Sequence, residues 1–154
     1  MSADSGDGGD FLVRRNDATL AKASLPKLMN VLIVEDEGVE ARRITAMLRF
    51  VLGRDVTLPL APSLDRAIDE IVWSLPDALL LDHYLKPNES ALQTIPRVRR
   101  AGYHGPIIVV SGAVDRPRRI ELRKAGAADI IHKDDVDSVN LSEALIRAYA
   151  PGGH

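Results

Sequence analysis

Five short runs of β-branched and leucine residues recur at nearly regular spacing: Val31 to Val34, Val56 to Leu60, Ala78 to Leu81, Ile107 to Val110 and Asp129 to His132. A helical pattern separates each run from the next. Runs this apolar need cover on both faces, and a helical crossover between parallel strands supplies it with a right-handed turn. The repeated βα order therefore predicts a doubly wound α/β fold, a parallel sheet with helices on both sides. Ile44, Met47, Leu48, Val51 and Leu52 mark the first helix, closed by Gly53; Leu64, Ala67, Ile68, Ile71 and Val72 mark the second, with Ser63 as N-cap. Leu92, Ile95 and Val98 mark a third that stops at Gly102, and Pro96 within it removes a backbone hydrogen bond, so that helix is expected to start late or to kink. Pro117 suits the first turn of a fourth helix carrying Ile120 and Leu122 to Gly126; Leu141, Ala144, Leu145 and Ala148 mark the last. Phe50 is expected in the core, and Trp73 and Tyr103 in ordinary packing at helix or loop ends.

The organised part spans residues 30–150, long enough with its neighbours for one domain with a real core. Residues 1–29 read as a disordered or weakly ordered leader, since Met1 to Asp10 has no apolar period and the support for a short helix before Pro26 is poor. Residues 151–154 read as a C-terminal fray. The chain has no cysteine, which excludes a disulfide framework and thiolate metal sites and suits a reducing cytoplasm. Its apolar runs are too short for a membrane span. Twenty basic against 22 acidic residues, a net charge of −2, argue against a protein that grips nucleic acid by neutralising phosphates.

In doubly wound sheets ligands bind beyond the carboxyl ends of the strands, so the strand-ending residues carry the chemistry. Strand one runs into Glu35, Asp36 and Glu37, strand three into Asp82, strand four into Ser111 and strand five into Lys133. Carboxylates converging there would repel unless a cation and the lysine stood among them, and hard oxygen ligands with room for water and phosphate favour Mg2+. Asp82, fixed at the end of a buried strand, is placed to attack a phosphoryl group and form an acyl phosphate. Taken alone, Glu35 to Glu37 could be only an acidic helix start and Ser111 only a turn residue.

The segments Val31-Leu32-Ile33-Val34-Glu35-Asp36-Glu37, Leu79-Leu80-Leu81-Asp82, Val109-Val110-Ser111-Gly112-Ala113 and Ile131-His132-Lys133 together resemble the receiver domain of two-component response regulators over residues 30–150. The resemblance implies a flavodoxin-like five-stranded sheet of order 2-1-3-4-5. It implies Asp82 as phosphoacceptor, Asp36 as a direct Mg2+ ligand, Glu35 as a ligand through water and the Tyr84 backbone carbonyl as a further Mg2+ contact. Lys133 would pair with the phosphoryl oxygens, and Ser111 would swing its hydroxyl onto one of them to shift the domain between two packed states. The implied donor is a sensor histidine kinase or histidine phosphotransfer protein, and the chain would be no enzyme beyond its own phosphorylation and dephosphorylation.

Several positions depart from the family pattern. Ile130 stands where strand five usually carries an aromatic, and Asp134 and Asp135 follow Lys133 where a proline is common. The loop from His83 to Ser90 lacks the usual glycine and is one residue longer. Tyr84, two residues past Asp82, and Ala113, two past Ser111, occupy positions that modulate the site, and the bulk of Tyr84 predicts slow self-dephosphorylation. His83 and His132 flank the site without partners at metal-ligand spacing and are assigned no chemistry. Arg97, Arg99, Arg100, Arg116, Arg118, Arg119, Arg123 and Lys124 read as solvated helix faces before a basic partner surface.

The expected function is therefore a stand-alone bacterial response regulator that signals by phosphorylation-controlled protein binding, since only about one helix follows Lys133. One alternative is a receiver-like scaffold whose binding ignores phosphorylation. The other is a Mg2+-dependent phosphatase with Asp82 as nucleophile, disfavoured because Tyr84 stands where a second Asp is required. A dinucleotide-binding domain is disfavoured by the absence of G-x-G-x-x-G after strand one.

Overall fold

A computed structural model of the chain describes residues 27–86 and 88–149. The expected leader up to residue 26 and the fray at 151–154 lie outside the described residues. The strands are β1 (Val31–Val34), β2 (Leu60–Ala61), β3 (Ala78–Asp82), β4 (Ile107–Ser111) and β5 (Asp129–His132). The helices are α1 (Gly38–Leu52), α2 (Leu64–Trp73), α3 (Ala91–Arg100), α4 (Arg116–Ala125) and α5 (Ser138–Tyr149). All strand pairs in the main sheet are parallel and their order is β2-β1-β3-β4-β5, the doubly wound arrangement with β3 at its centre between β1 and β4.

The period of two along each strand divides the core into two layers. Leu32, Val34, Leu79, Leu81, Ile107, Val109 and Ile130 face one side, where they meet α2, α3 and α4 through Leu64, Ile71, Ile95, Val98 and Leu122. Val31, Ile33, Leu80, Ile108, Val110 and Ile131 face the other, against Ile44 and Leu48 of α1 and Leu141 and Leu145 of α5. Each such side chain contributes about 1.5–3 kcal/mol by leaving water. Gly126 closes α4 with φ +120°, and a Cβ there would press on Ile95 Cγ2 at 3.3 Å, so the position favours glycine on both counts.

Three expectations are corrected, the extent of the second strand and the places of Phe50 and Trp73, and of the two outcomes expected for α3 the late start does not occur. The run Val56 to Leu60 follows β1, with Val31 N donating to Thr57 O and Ile33 N to Pro59 O (both 2.9 Å), but Pro59 has no N–H to return. The ladder is thus reduced to a bridge between Asn30 and Thr57 and the two-residue β2. Helix α3 starts at Ala91, before its first expected apolar residue, and continues over Pro96. The proline costs α3 only the bond to one carbonyl, while the Ser90 N–H donates to Gln93 Oε1 (3.0 Å) at the N-terminus and Ala91, Ile95 and Val98 anchor one buried face. Phe50 is 74% exposed and Trp73 87% exposed. Both lie off the buried stripes of their helices, Ala41-Ile44-Leu48-Val51 and Leu64-Ala67-Ile71.

Candidate functional site

Register alone brings the strand ends together. Val34 pairs with Leu81, Asp82 with Val110 and Ser111 with His132, so Glu35, Asp82, Ser111 and Lys133 emerge along one edge of the sheet. The loop after Asp82 folds into a small antiparallel ribbon, Tyr84–Leu85 against Glu89–Ser90, and Lys86 N–H donates to Asp36 Oδ2 (2.9 Å), tying the ribbon to the β1 end. A cavity of about 400 Å³ opens there, lined by Glu35, Asp36, Glu37, Asp82, Tyr84, Lys86 and Lys133 among others.

Oxygens of Glu35, Asp36 and Asp82 lie within 4.8 Å of one another. Lys133 Nζ stands 3.4 Å from Asp82 Oδ1, and the Tyr84 N–H donates weakly to the same oxygen at 3.4 Å. Glu35 is buried at the end of β1; Glu37 N–H donates to its Oε2 (3.1 Å), while Oε1 is buried without a hydrogen-bond partner. Burial and then the Asp82 charge push the Glu35 carboxyl up to about 8. Burial works to lower the Lys133 ammonium, but Asp82 and Glu35 outweigh it and its pKa is raised. An orphaned buried carboxyl oxygen beside two further carboxylates is a donor set that fits a hard divalent cation.

The other expected residues lie around this centre. Ser111 is buried and turned into its own loop, its hydroxyl donating to Ala113 O (2.9 Å) and accepting from Ala113 N–H (3.2 Å). Ile130 is buried in the layer under α3 and α4. Asp134 is exposed.

Three contacts escaped the sequence reading. Arg43 of α1 donates to the carbonyls of Lys133 (3.1 Å) and Val136 (2.9 Å) and so holds the turn that presents the lysine. His83, buried beside Asp82, meets Arg118 Nη1 of α4 at Nε2 (2.6 Å), and the same nitrogen of Arg118 donates to the Tyr84 hydroxyl (2.8 Å). Arginine can only donate, so His83 Nε2 is the acceptor, in keeping with burial and the Arg118 charge lowering the imidazole's pKa. Asp129 at the start of β5 is buried and accepts from Arg123 of α4 (3.2 Å) and Arg147 of α5 (2.7 Å). Arginines that read as solvated faces thus fasten helices to the sheet, across separations of up to 35 residues that no local pattern reveals.

The family model for the response regulator receiver domain matches residues 31–146. The chain is 34% identical over 105 residues to the transcriptional regulatory protein DltR of Streptococcus agalactiae, a match covering 68% of this chain and 45% of that one. The chain thus spans about half the length of the curated relatives it matches. Among solved structures, it superposes on the BeF3-activated N-terminal receiver domain of Klebsiella pneumoniae RstA with a TM-score of 0.66 and 25% identity, covering 79% of this chain and 99% of that one. The signal receiver domain of NarL from Mycobacterium tuberculosis aligns with a TM-score of 0.62 and 20% identity over 80% and 94% of the two chains. The chain belongs to the response regulator receiver domain family, whose members are signalling proteins of two-component systems that interact with histidine kinases or phosphotransfer proteins. No helix among the described residues is long and apolar enough to cross a membrane.

Proposed function

We propose that Asp82 accepts a phosphoryl group from a histidine kinase or histidine phosphotransfer protein and that the resulting acyl phosphate controls protein binding. The observation that carries this reading is the meeting of Glu35, Asp36 and Asp82 opposite Lys133 at one sheet edge. Glu35, Asp36, Asp82 and the Tyr84 carbonyl would hold Mg2+, which when bound supplies charge neutralisation for the phosphoryl oxygens. An Asp82 carboxylate oxygen attacks phosphorus, the bond from phosphorus to the donor imidazole nitrogen breaks, and that nitrogen keeps the electron pair and takes a proton. The Lys133 ammonium, already on Asp82, moves its pairing to a phosphoryl oxygen. Ser111 leaves Ala113 O for another phosphoryl oxygen, which withdraws one bond from the loop before α4.

The surface formed by α4, β5 and α5 is the natural reader of that change, because Ser111 pairs with β5 and its loop leads into α4. A cytoplasmic setting, where the phosphodonor is made, belongs to the same reading. Intact mass after incubation with acetyl phosphate and Mg2+ tests it. Wild type is expected to gain one phosphoryl group, and Asp82→Asn, or wild type in EDTA, none. Equal gain by Asp82→Asn would assign the acceptor elsewhere.

A further inference from the structure

Tyr84 is rooted at the acceptor and tethered at its tip. Its N–H lies 3.4 Å from Asp82 Oδ1, while its hydroxyl accepts from Arg118 Nη1 at 2.8 Å. The ring is more than half exposed, so burial does not hold it, and an exposed side chain on a loop otherwise exchanges rotamers within nanoseconds. What holds it is the guanidinium of Arg118, 5.8 Å from the ring centroid, together with the ring of His83 at 4.1 Å between centroids. Arg118 is itself steadied by His83 Nε2, on the residue directly after Asp82. The clamp therefore spans from the acceptor strand to the first turn of α4.

We propose that Arg118 is a positioning residue that fixes the Tyr84 ring beside the Asp82 acyl phosphate and so sets how fast water removes the phosphoryl group. The inference rests on Asp82 being the phosphorylated residue. In that hydrolysis a water oxygen attacks phosphorus, the bond between phosphorus and the Asp82 oxygen breaks, and the carboxylate leaves with the electron pair. Inorganic phosphate carries away the new hydroxyl, and the second water proton passes to solvent or stays on phosphate. A fixed ring excludes in-line water for most of the time, whereas a ring that swings free admits it.

Two measurements test this. The first follows decay of the phosphoryl mass after acetyl phosphate is removed, with Mg2+ held constant. Arg118→Ala and Tyr84→Phe are each expected to speed decay about three- to tenfold, the scale of one lost hydrogen bond expressed in a rate. The double variant should decay no faster than the faster single, because both changes cut one contact. Arg118→Lys, with one donor for two acceptors, should lie between wild type and Arg118→Ala, and the exposed Arg116→Ala on the same helix turn should match wild type. Wild-type decay in Arg118→Ala, or additive acceleration in the double variant, overturns the proposal.

The second measurement records tyrosine ring resonances of the unphosphorylated protein, which has three tyrosines. In Arg118→Ala the Tyr84 signal should move toward its random-coil position while those of Tyr103 and Tyr149 stay. An unmoved Tyr84 signal overturns the clamp whatever the chemistry at Asp82. Failure of wild type to gain a phosphoryl group overturns the Asp82 reading instead, and the claim about lifetime with it.

Discussion

Glu35 sits in a conflict that its position creates, for the strand that buries it also brings it against Asp82. Its carboxyl, raised from 4.5 to about 8, holds its proton more tightly in the fold than in the unfolded chain. The stability this gives is complete below the unfolded value and is lost as pH rises through about 8. In metal-free protein, Glu35→Gln, which cannot ionise, is therefore expected to raise the Tm at about pH 9 by about 2–6 °C, and to leave it nearly unchanged at about pH 4. Mg2+ should raise the Tm of wild type more than that of the variant. Thermal melts across pH with and without EDTA decide the matter, and a variant less stable than wild type at high pH refutes the conflict. Tyr84 carries a second prediction at this scale. Tyr84→Asn, which removes the ring altogether, should shorten the phosphoryl lifetime at least as much as Tyr84→Phe, read by decay of the same mass. Glu35 is legible as a site residue because it follows the end of β1, and the sheet alone decides where strand ends meet, whereas Tyr84, two residues past the end of β3, is legible only through the family resemblance. The role of Arg118 was not legible, since its partners lie 34 and 35 positions away and only the tertiary fold brings them close.

At the scale of elements, the stripes that identified helices also say which apolar residues stay outside. Phe50 is adjacent to Val51 in sequence but about 100° round the helix from it, and Trp73 is about 200° from Ile71. Hydrophobicity without phase puts Phe50 in the core and Trp73 in ordinary packing at a helix end, and phase places both in water. The strands were read more closely, to within a residue for all but β2, where one missing N–H at Pro59 outweighs the β-branched run before it. Contacts between elements leave no mark in the local pattern of the sequence. Asp129 shows what was hidden there: in sequence it is the polar first residue of a strand, and in the fold it joins α4 and α5 through two arginines while accepting from Ile130 N–H (2.9 Å). Asp129→Ala is expected to cost about 1–3 kcal/mol, since the arginines are half exposed and regain water while the buried amide loses its partner. Urea unfolding would measure it. A loss below about 0.5 kcal/mol would mean that the arginines are worth no more as tethers than ordinary surface ion pairs.

The whole molecule has two edges with different duties. Phosphoryl chemistry is proposed at the carboxyl ends of the strands, while at their amino ends the chain entering β1 is fastened to the chain entering β3. Leu28 is buried against the α1 and α5 layer, and the N–H groups of Met29 and Asn30 both donate to Asp77 Oδ2, at 2.8 and 3.0 Å. Asp77 N–H returns a bond to Asn30 O (2.7 Å), and the Tyr149 hydroxyl of α5 donates to Asp77 O. The packed unit therefore includes Leu28, two residues before the expected boundary at residue 30, because a single leucine outside a periodic pattern gives no sign that it is buried. Leu28→Ala should then lower stability by about 2 kcal/mol, and Asp77→Ala by about 1–2 kcal/mol for its paired amides. Neither should alter the gain of phosphoryl mass at Asp82 or its decay, since both changes lie at the far edge of a rigid sheet. Denaturant unfolding and the phosphorylation assay on the same two variants separate these duties. Unchanged stability in Leu28→Ala would return residue 28 to the leader, and a changed phosphoryl lifetime in either variant would show the two edges to be energetically coupled through the sheet.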